Sequence, residues 1–178
     1  MEKLQIEACL KSMIILVDTR EQPSDRAQRR YSAFPCPYRR QTLDYGDYTY
    51  SFTLPDGTEL HPPGSRAKGS AIIERKMGLE ELSTCLTHER SRFEAEFERA
   101  IANEASIYLL CENSTWENLI NGRYATRFNP KSFFSSTTAF MARYRIQPIF
   151  CKSETSGKMI HQILYRELKE RLENGYYG

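Results

Sequence analysis

The triplet Glu74-Arg75-Lys76 closes an apolar run, Ser70-Ala71-Ile72-Ile73. Successive side chains of an extended chain alternate faces. Ile72, Glu74 and Lys76 therefore share one side, and Ile73 and Arg75 the other. A carboxylate and an ammonium two residues apart are thus held rigidly at the end of a segment that reads as buried, where unpaired charge is costly. Hydrolysis of a phosphodiester can use such a set. Carboxylates hold a divalent cation that polarises the phosphoryl oxygen and acidifies a bound water. A lysine beside them steadies developing negative charge or orients the attacking water. One carboxylate is too few, so others must converge. The candidates are Asp18 after the apolar run 13–17, Glu21 in the turn that follows, Asp47 after Gly46, and Glu80 one helical turn into the next element. Hard oxygen ligands of this kind suit Mg²⁺ or Mn²⁺.

Each member has an ordinary structural counterpart. Asp18 alone fits a turn or a cap, Asp47 a bulge, and Glu74 with Lys76 an ion-pair ladder on an edge strand. Arg75 either binds phosphate or anchors its strand through an ion pair. His88, Arg90 and Arg92 fit a solvated helix start. Three strand-terminal acids in the order Asp, Gly-Asp, Glu-x-Lys together favour a site.

The elements that must position these residues can be read from periodicity. Residues 13–17 and 70–76 read as strands, as do 106–112 and 146–151; Pro148 predicts that the last lies near an edge. Residues 22–37, with three prolines, read as a loop. Residues 38–54 read as one strand bent at Gly46-Asp47, and 55–69 as a long connection, a candidate flap. Leu79, Leu82 and Leu86, then Phe93, Phe97, Ala100 and Ile101, predict one broken helix or two in succession. Ser114 with Glu117 matches a capping box. A helix follows from Asn129-Pro130, with Phe133, Phe134, Thr137, Phe140, Met141 and Tyr144 inward, and another from about Ser156 to Asn174-Gly175. Alternation late in the chain predicts an α/β fold, a mixed central sheet flanked by helices.

Composition sets the bounds. The chain has 178 residues, 40% hydrophobic and 27% charged, which fits one soluble domain with a sizeable core. The run 13–17 is too short to span a bilayer, and charges at Glu2, Lys3, Glu7 and Lys11 do not fit a signal peptide. Five scattered cysteines without a Cys-x-x-Cys pair predict reduced thiols and an intracellular home, not a zinc site. A net charge of +2 means that a nucleic-acid partner would be met by a local patch.

Four segments, VDTREQ (17–22), YGDY (45–48), ERKMGLEEL (74–82) and RFEAEFERA (92–100), resemble the nuclease domain of the XPF family of structure-specific DNA endonucleases. Gly46-Asp47 and Glu74-Arg75-Lys76 match its signature; Glu80 stands where the family has Asp, and Glu96 where it has Gln. The resemblance spans residues 13–164 and implies a restriction-endonuclease-like fold. Residues 13–175 would form the nuclease domain behind an N-terminal extension, 1–12. It implies an Asp…Glu-x-Lys site with Asp47, Glu74, Lys76 and Arg75 catalytic. Asp18, Asp47 and Glu74 would hold Mg²⁺ or Mn²⁺, with Glu21 or Glu80 acting through water. Arg39, Arg40, Arg66, Lys68, Arg90 and Arg92 are candidate DNA-backbone contacts. The family's usual tandem helix-hairpin-helix domain has no counterpart in these residues. A homodimer, or a separate DNA-binding or helicase subunit, would then supply tight binding to branched DNA. Two rivals stay open: a non-catalytic DNA- or partner-binding module of the same fold, and a restriction or resolvase-type nuclease.

Overall fold

The computed structural model describes residues 1–60 and 69–177. Strand β1 (Ile14–Asp18) lies in the middle of the N-terminal half of the sheet. It pairs in parallel with β2 (Tyr38–Gln41) and antiparallel with β3 (Tyr48–Thr53). The stretch 38–54 is therefore two strands on opposite sides of β1, not one bent strand. β4 (Glu59–Leu60) adds a short pairing to β3. β5 (Ala71–Lys76), β6 (Ser106–Glu112) and β7 (Gln147–Cys151) continue the sheet in parallel, in the order β2-β1-β3-β5-β6-β7. The strand with Pro148 is an edge, where a missing N–H is tolerated. The candidate flap falls mostly on 61–68, outside the described residues.

Both faces of this mixed sheet are covered, so its central strands are apolar on both sides. One core joins α1 (Lys3–Lys11), α2 (Asp25–Ser32) and the long α7 (Ser153–Glu173) to Ile15, Val17, Tyr48, Ile73 and Leu110. The other joins α3 (Leu79–Leu86), α4 (Arg90–Ala102), α5 (Trp116–Ile120) and α6 (Pro130–Tyr144) to Ile72, Ile107 and Leu109. Ile72 and Ile73 thus point to opposite cores, as strand alternation requires.

Residues 1–12 carry α1, whose Cys9 is fully buried in the first core. Several local expectations are corrected. The proline-rich loop 22–37 contains α2, started by Ser24, whose side chain accepts a hydrogen bond from Ala27 N–H. Thr115, not Ser114, caps α5 by accepting from Asn118 N–H; the Ser114 hydroxyl turns back to the Glu112 carbonyl. Phe134 of α6 is exposed and meets Trp116 edge-on.

Candidate active site

β3 and β5 share a single pairing, Tyr48 opposite Ile73, and then diverge. Backbone groups beyond that point need other partners. Asp47 supplies them: its N–H donates to the Ile73 carbonyl at 2.9 Å, and its carboxylate accepts from Arg75 N–H at 2.7 Å. Its own carbonyl accepts from Asp18 N–H at 2.9 Å. The residue before it, Gly46, has φ +72°, and a Cβ there would stand 3.0 Å from the Ile72 side chain. Glycine fits both demands.

Glu74 and Lys76 lie on the face of β5 that carries Ile72, as alternation predicts. Both are buried, and Lys76 Nζ donates to Glu74 Oε1 at 2.5 Å. The ammonium rests 5.1 Å from the Phe93 ring centroid and 4.0 Å from Glu81. Glu74 Oε2 is buried without a hydrogen-bond partner. Burial, the Asp47 charge and the Glu96 charge push the Glu74 carboxyl up to about 8, against the pull of Lys76. Burial pushes Asp47 up to about 6, although Lys76 and the Arg75 N–H favour its anion. Lys76 is raised as well: burial alone would lower its pKa, but Glu74 and Asp47 hold it above its ordinary value. The three upward shifts have one cause. One ammonium serves two carboxylates, so it stays charged while the acids share incomplete compensation.

The remaining expected ligands each have other partners. Both oxygens of the buried Asp18 are taken: Oδ1 by Arg20 N–H and Nε, Oδ2 by the Arg20 Nη2 at 2.8 Å and Leu43 N–H at 3.0 Å. Burial raises the Asp18 pKa, but these donors outweigh it and hold the carboxyl below its usual range. Glu21 accepts from Arg30 at 2.5 Å, from Tyr31 and from Tyr48. Glu80 accepts from Ala125 N–H at 2.9 Å and is exposed. Of the expected acids, Asp47, Glu74 and Glu21 line one cleft, Glu21 bound there to Arg30.

Arg75 points to the other core and answers the question left open for it. Its guanidinium lies 3.3 Å from Glu21 and 3.4 Å from Glu112. Only the Glu112 contact has hydrogen-bond geometry; Nε faces Glu21 as an ion pair alone. Arg30 of α2 bridges the same two acids. Two arginines and two glutamates, all buried except the partly exposed Arg75, neutralise one another behind the strand. Arg75 is an anchor through its side chain and an orienter of Asp47 through its N–H.

A cleft of about 570 Å³ opens over Asp47, Glu74 and Lys76. Arg92 lines it and is exposed. So do Arg20 and Arg26, which sequence reasoning missed. Of the other basic candidates, Arg39 pairs with Glu59, and Arg40 donates to the carbonyls of Thr19 and Glu21. Arg90 pairs with Glu94 over the Phe140 ring. Arg66 and Lys68 lie outside the described residues. Glu96 also lines the cleft and was noticed only as a departure from Gln; Arg30 and Glu112 carried no local signal, because their meaning comes from contacts distant in sequence.

Comparison with known proteins agrees with this architecture. No curated protein matches the sequence. Among solved structures, XPF from Aeropyrum pernix superposes with a TM-score of 0.60 at 16% identity, over 92% of this chain and 69% of that one. XPF from Aeropyrum pernix in complex with DNA superposes with a TM-score of 0.59 at 19% identity, over 89% of this chain and 66% of that one. At these identities the likeness shows the fold. The sequence itself carries more, since the ERCC4 domain model matches residues 17–163, from the end of β1 into α7. With the fold and that match in agreement, the chain belongs to the ERCC4-domain family.

Proposed function

We propose that this nuclease-type DNA-processing domain is a divalent-metal-dependent endodeoxyribonuclease that cuts duplex DNA at branches. One observation carries the reading. Glu74 and Asp47 line one cleft, one Glu74 oxygen is buried without a hydrogen-bond partner, and burial and repulsion raise the pKa of both acids. A cation would relieve both costs. Asp47 and Glu74 would hold Mg²⁺ or Mn²⁺, ions that keep several waters and so need few carboxylates. Bound there, the ion would polarise the phosphoryl oxygen and acidify a water.

The chain's own groups do the rest. Arg75 N–H fixes the Asp47 carboxylate. Lys76 holds Glu74 and keeps a positive charge beside the scissile phosphate, in a site where such charge acts strongly. Arg92 and Arg26 on the rim take the DNA backbone. The DNA complex of the Aeropyrum pernix protein supports the choice of substrate.

One observation favours a non-catalytic module instead. Among the described residues, no three acidic, histidine or cysteine side chains are grouped closely enough to hold a metal unaided. Incubating the protein with forks, flaps and four-way junctions in Mg²⁺, in Mn²⁺ and in chelator separates the readings. Cleavage should require the cation and fall by orders of magnitude in Asp47→Asn and Glu74→Gln. Binding without cleavage under every condition would establish the module, and cut positions would distinguish a branch nuclease from a restriction or resolvase type.

A further inference from the structure

The backbone around Asp47 is tied to the sheet at nearly every polar group: its N–H to Ile73, its carbonyl to Asp18, its carboxylate to Arg75 N–H. The neighbouring Gly46 N–H is the exception. It donates 2.8 Å to Glu96 Oε1, a side chain that crosses from helix α4 and is 8% exposed. Gly46 sits at φ +72° with the Ile72 side chain against it, so this buried turn has little room to relax. Without Glu96 its N–H would be left without an acceptor, a state that proteins avoid.

We infer that Glu96 is a positioning residue: from α4 its carboxylate holds the Gly46-Asp47 turn and so aims the Asp47 carboxylate at the phosphodiester. The inference rests on the nuclease reading above, and Glu96 acts through Gly46 without touching substrate. The interaction needs an acceptor oxygen, not a charge. Glutamine supplies that oxygen, which makes Glu96→Gln the discriminating variant beside Glu96→Ala.

The test compares the parent, Glu96→Gln and Glu96→Ala on a forked DNA at saturating Mn²⁺, well below their melting temperatures. Misplacing a reacting group by about 1 Å costs about 100-fold in rate. Glu96→Ala should lose kcat on that scale with KM for DNA unchanged, and Glu96→Gln should restore it to within about threefold of the parent. Parent-like kcat in Glu96→Ala overturns the inference. Equal loss in both variants also overturns it, because charge and not the tether would then be required. Hydrogen exchange of the Gly46 amide is read in parallel. Protection lost in Glu96→Ala and kept in Glu96→Gln, with the rest of β3 and β5 protected in both, upholds the tether. Equal protection in Glu96→Ala refutes it. A parent that cuts no DNA refutes the nuclease reading alone, and the Gly46 amide then decides on Glu96.

Discussion

Asp47→Asn should stabilise the metal-free protein while abolishing cleavage. In the fold, burial moves the Asp47 carboxyl from 3.8 up to about 6, with Lys76 and Arg75 opposing and Glu21 adding to the rise. At about 1.4 kcal/mol per pKa unit, the ionised side chain costs the folded state on the order of 3 kcal/mol. The sign follows from linkage. An acid with a raised folded pKa contributes stability that is fully present below pH 3.8 and lost as pH rises through about 6. That figure is already net of the help that Lys76 and Arg75 N–H give the anion, so removing the charge returns up to about 3 kcal/mol at pH 8. For a domain of this size that is a Tm rise of about 6–12 °C. The gain should shrink toward pH 4. Mn²⁺ at about 100 times its Kd should add about 2.7 kcal/mol to the parent and far less to the variant. Melting curves at pH 4, 6 and 8, in chelator and in Mn²⁺, provide the measurement. An Asp47→Asn protein that melts below the parent at pH 8 in chelator, yet gains the same Mn²⁺ shift, would refute the idea that a strained acid and a cation share this site.

Lys76→Ala should do the reverse to stability. It strips Glu74 and Asp47 of the cation they share, so the apo protein should melt lower at pH 8 than at pH 5, and cleavage should cease; a parent-like pH–Tm profile would count against the pairing. DNA affinity should fall steeply with salt, and Arg26→Ala with Arg92→Ala should flatten the slope of log K against log salt by about 2; an unchanged slope would remove both from the interface. The chain should form a homodimer in solution, given the apolar residues Ile120 and Phe134 exposed on α5 and α6. Light scattering that shows monomer alone at high concentration would exclude it.

The sheet was legible where apolar runs were bounded by charge, as at 13–17 and 70–76, because burial of both faces leaves a plain signal. It was not legible where pairing partners decide. Tyr38–Gln41 and Tyr48–Thr53 each open on a tyrosine within the single stretch 38–54, and only the β1 register assigns one to each side. Helix α2 was hidden because its residues Asp25-Arg26-Ala27-Gln28-Arg29-Arg30 are polar, and Arg30 is buried by an ion network that no local pattern announces. The site was legible in Asp47, Glu74 and Lys76, where strand alternation alone places two of the three. The partners of Asp18, Glu21 and Glu80 were not legible, because an acid at a strand end or helix start says nothing of which arginine or backbone N–H will claim it. Arg20, two residues beyond Asp18, was the overlooked clue.

The last long element, α7, has a bearing on the order in which the domain can be made. Its Ile160, Leu164, Leu168 and Leu172 fill the core shared by β1, β3 and β5, and Gly157 lets it approach α2 so closely that a Cβ would meet the Arg30 carbonyl at 2.4 Å. During synthesis, one face of the sheet therefore stays wet until residues 153–173 have left the ribosome. Ser156, which accepts from Arg30 at 3.4 Å, closes the ion network behind Arg75 only then. Nascent chains lacking α7 would hold the acids of the cleft on an unfinished scaffold, with apolar sheet surface open to water.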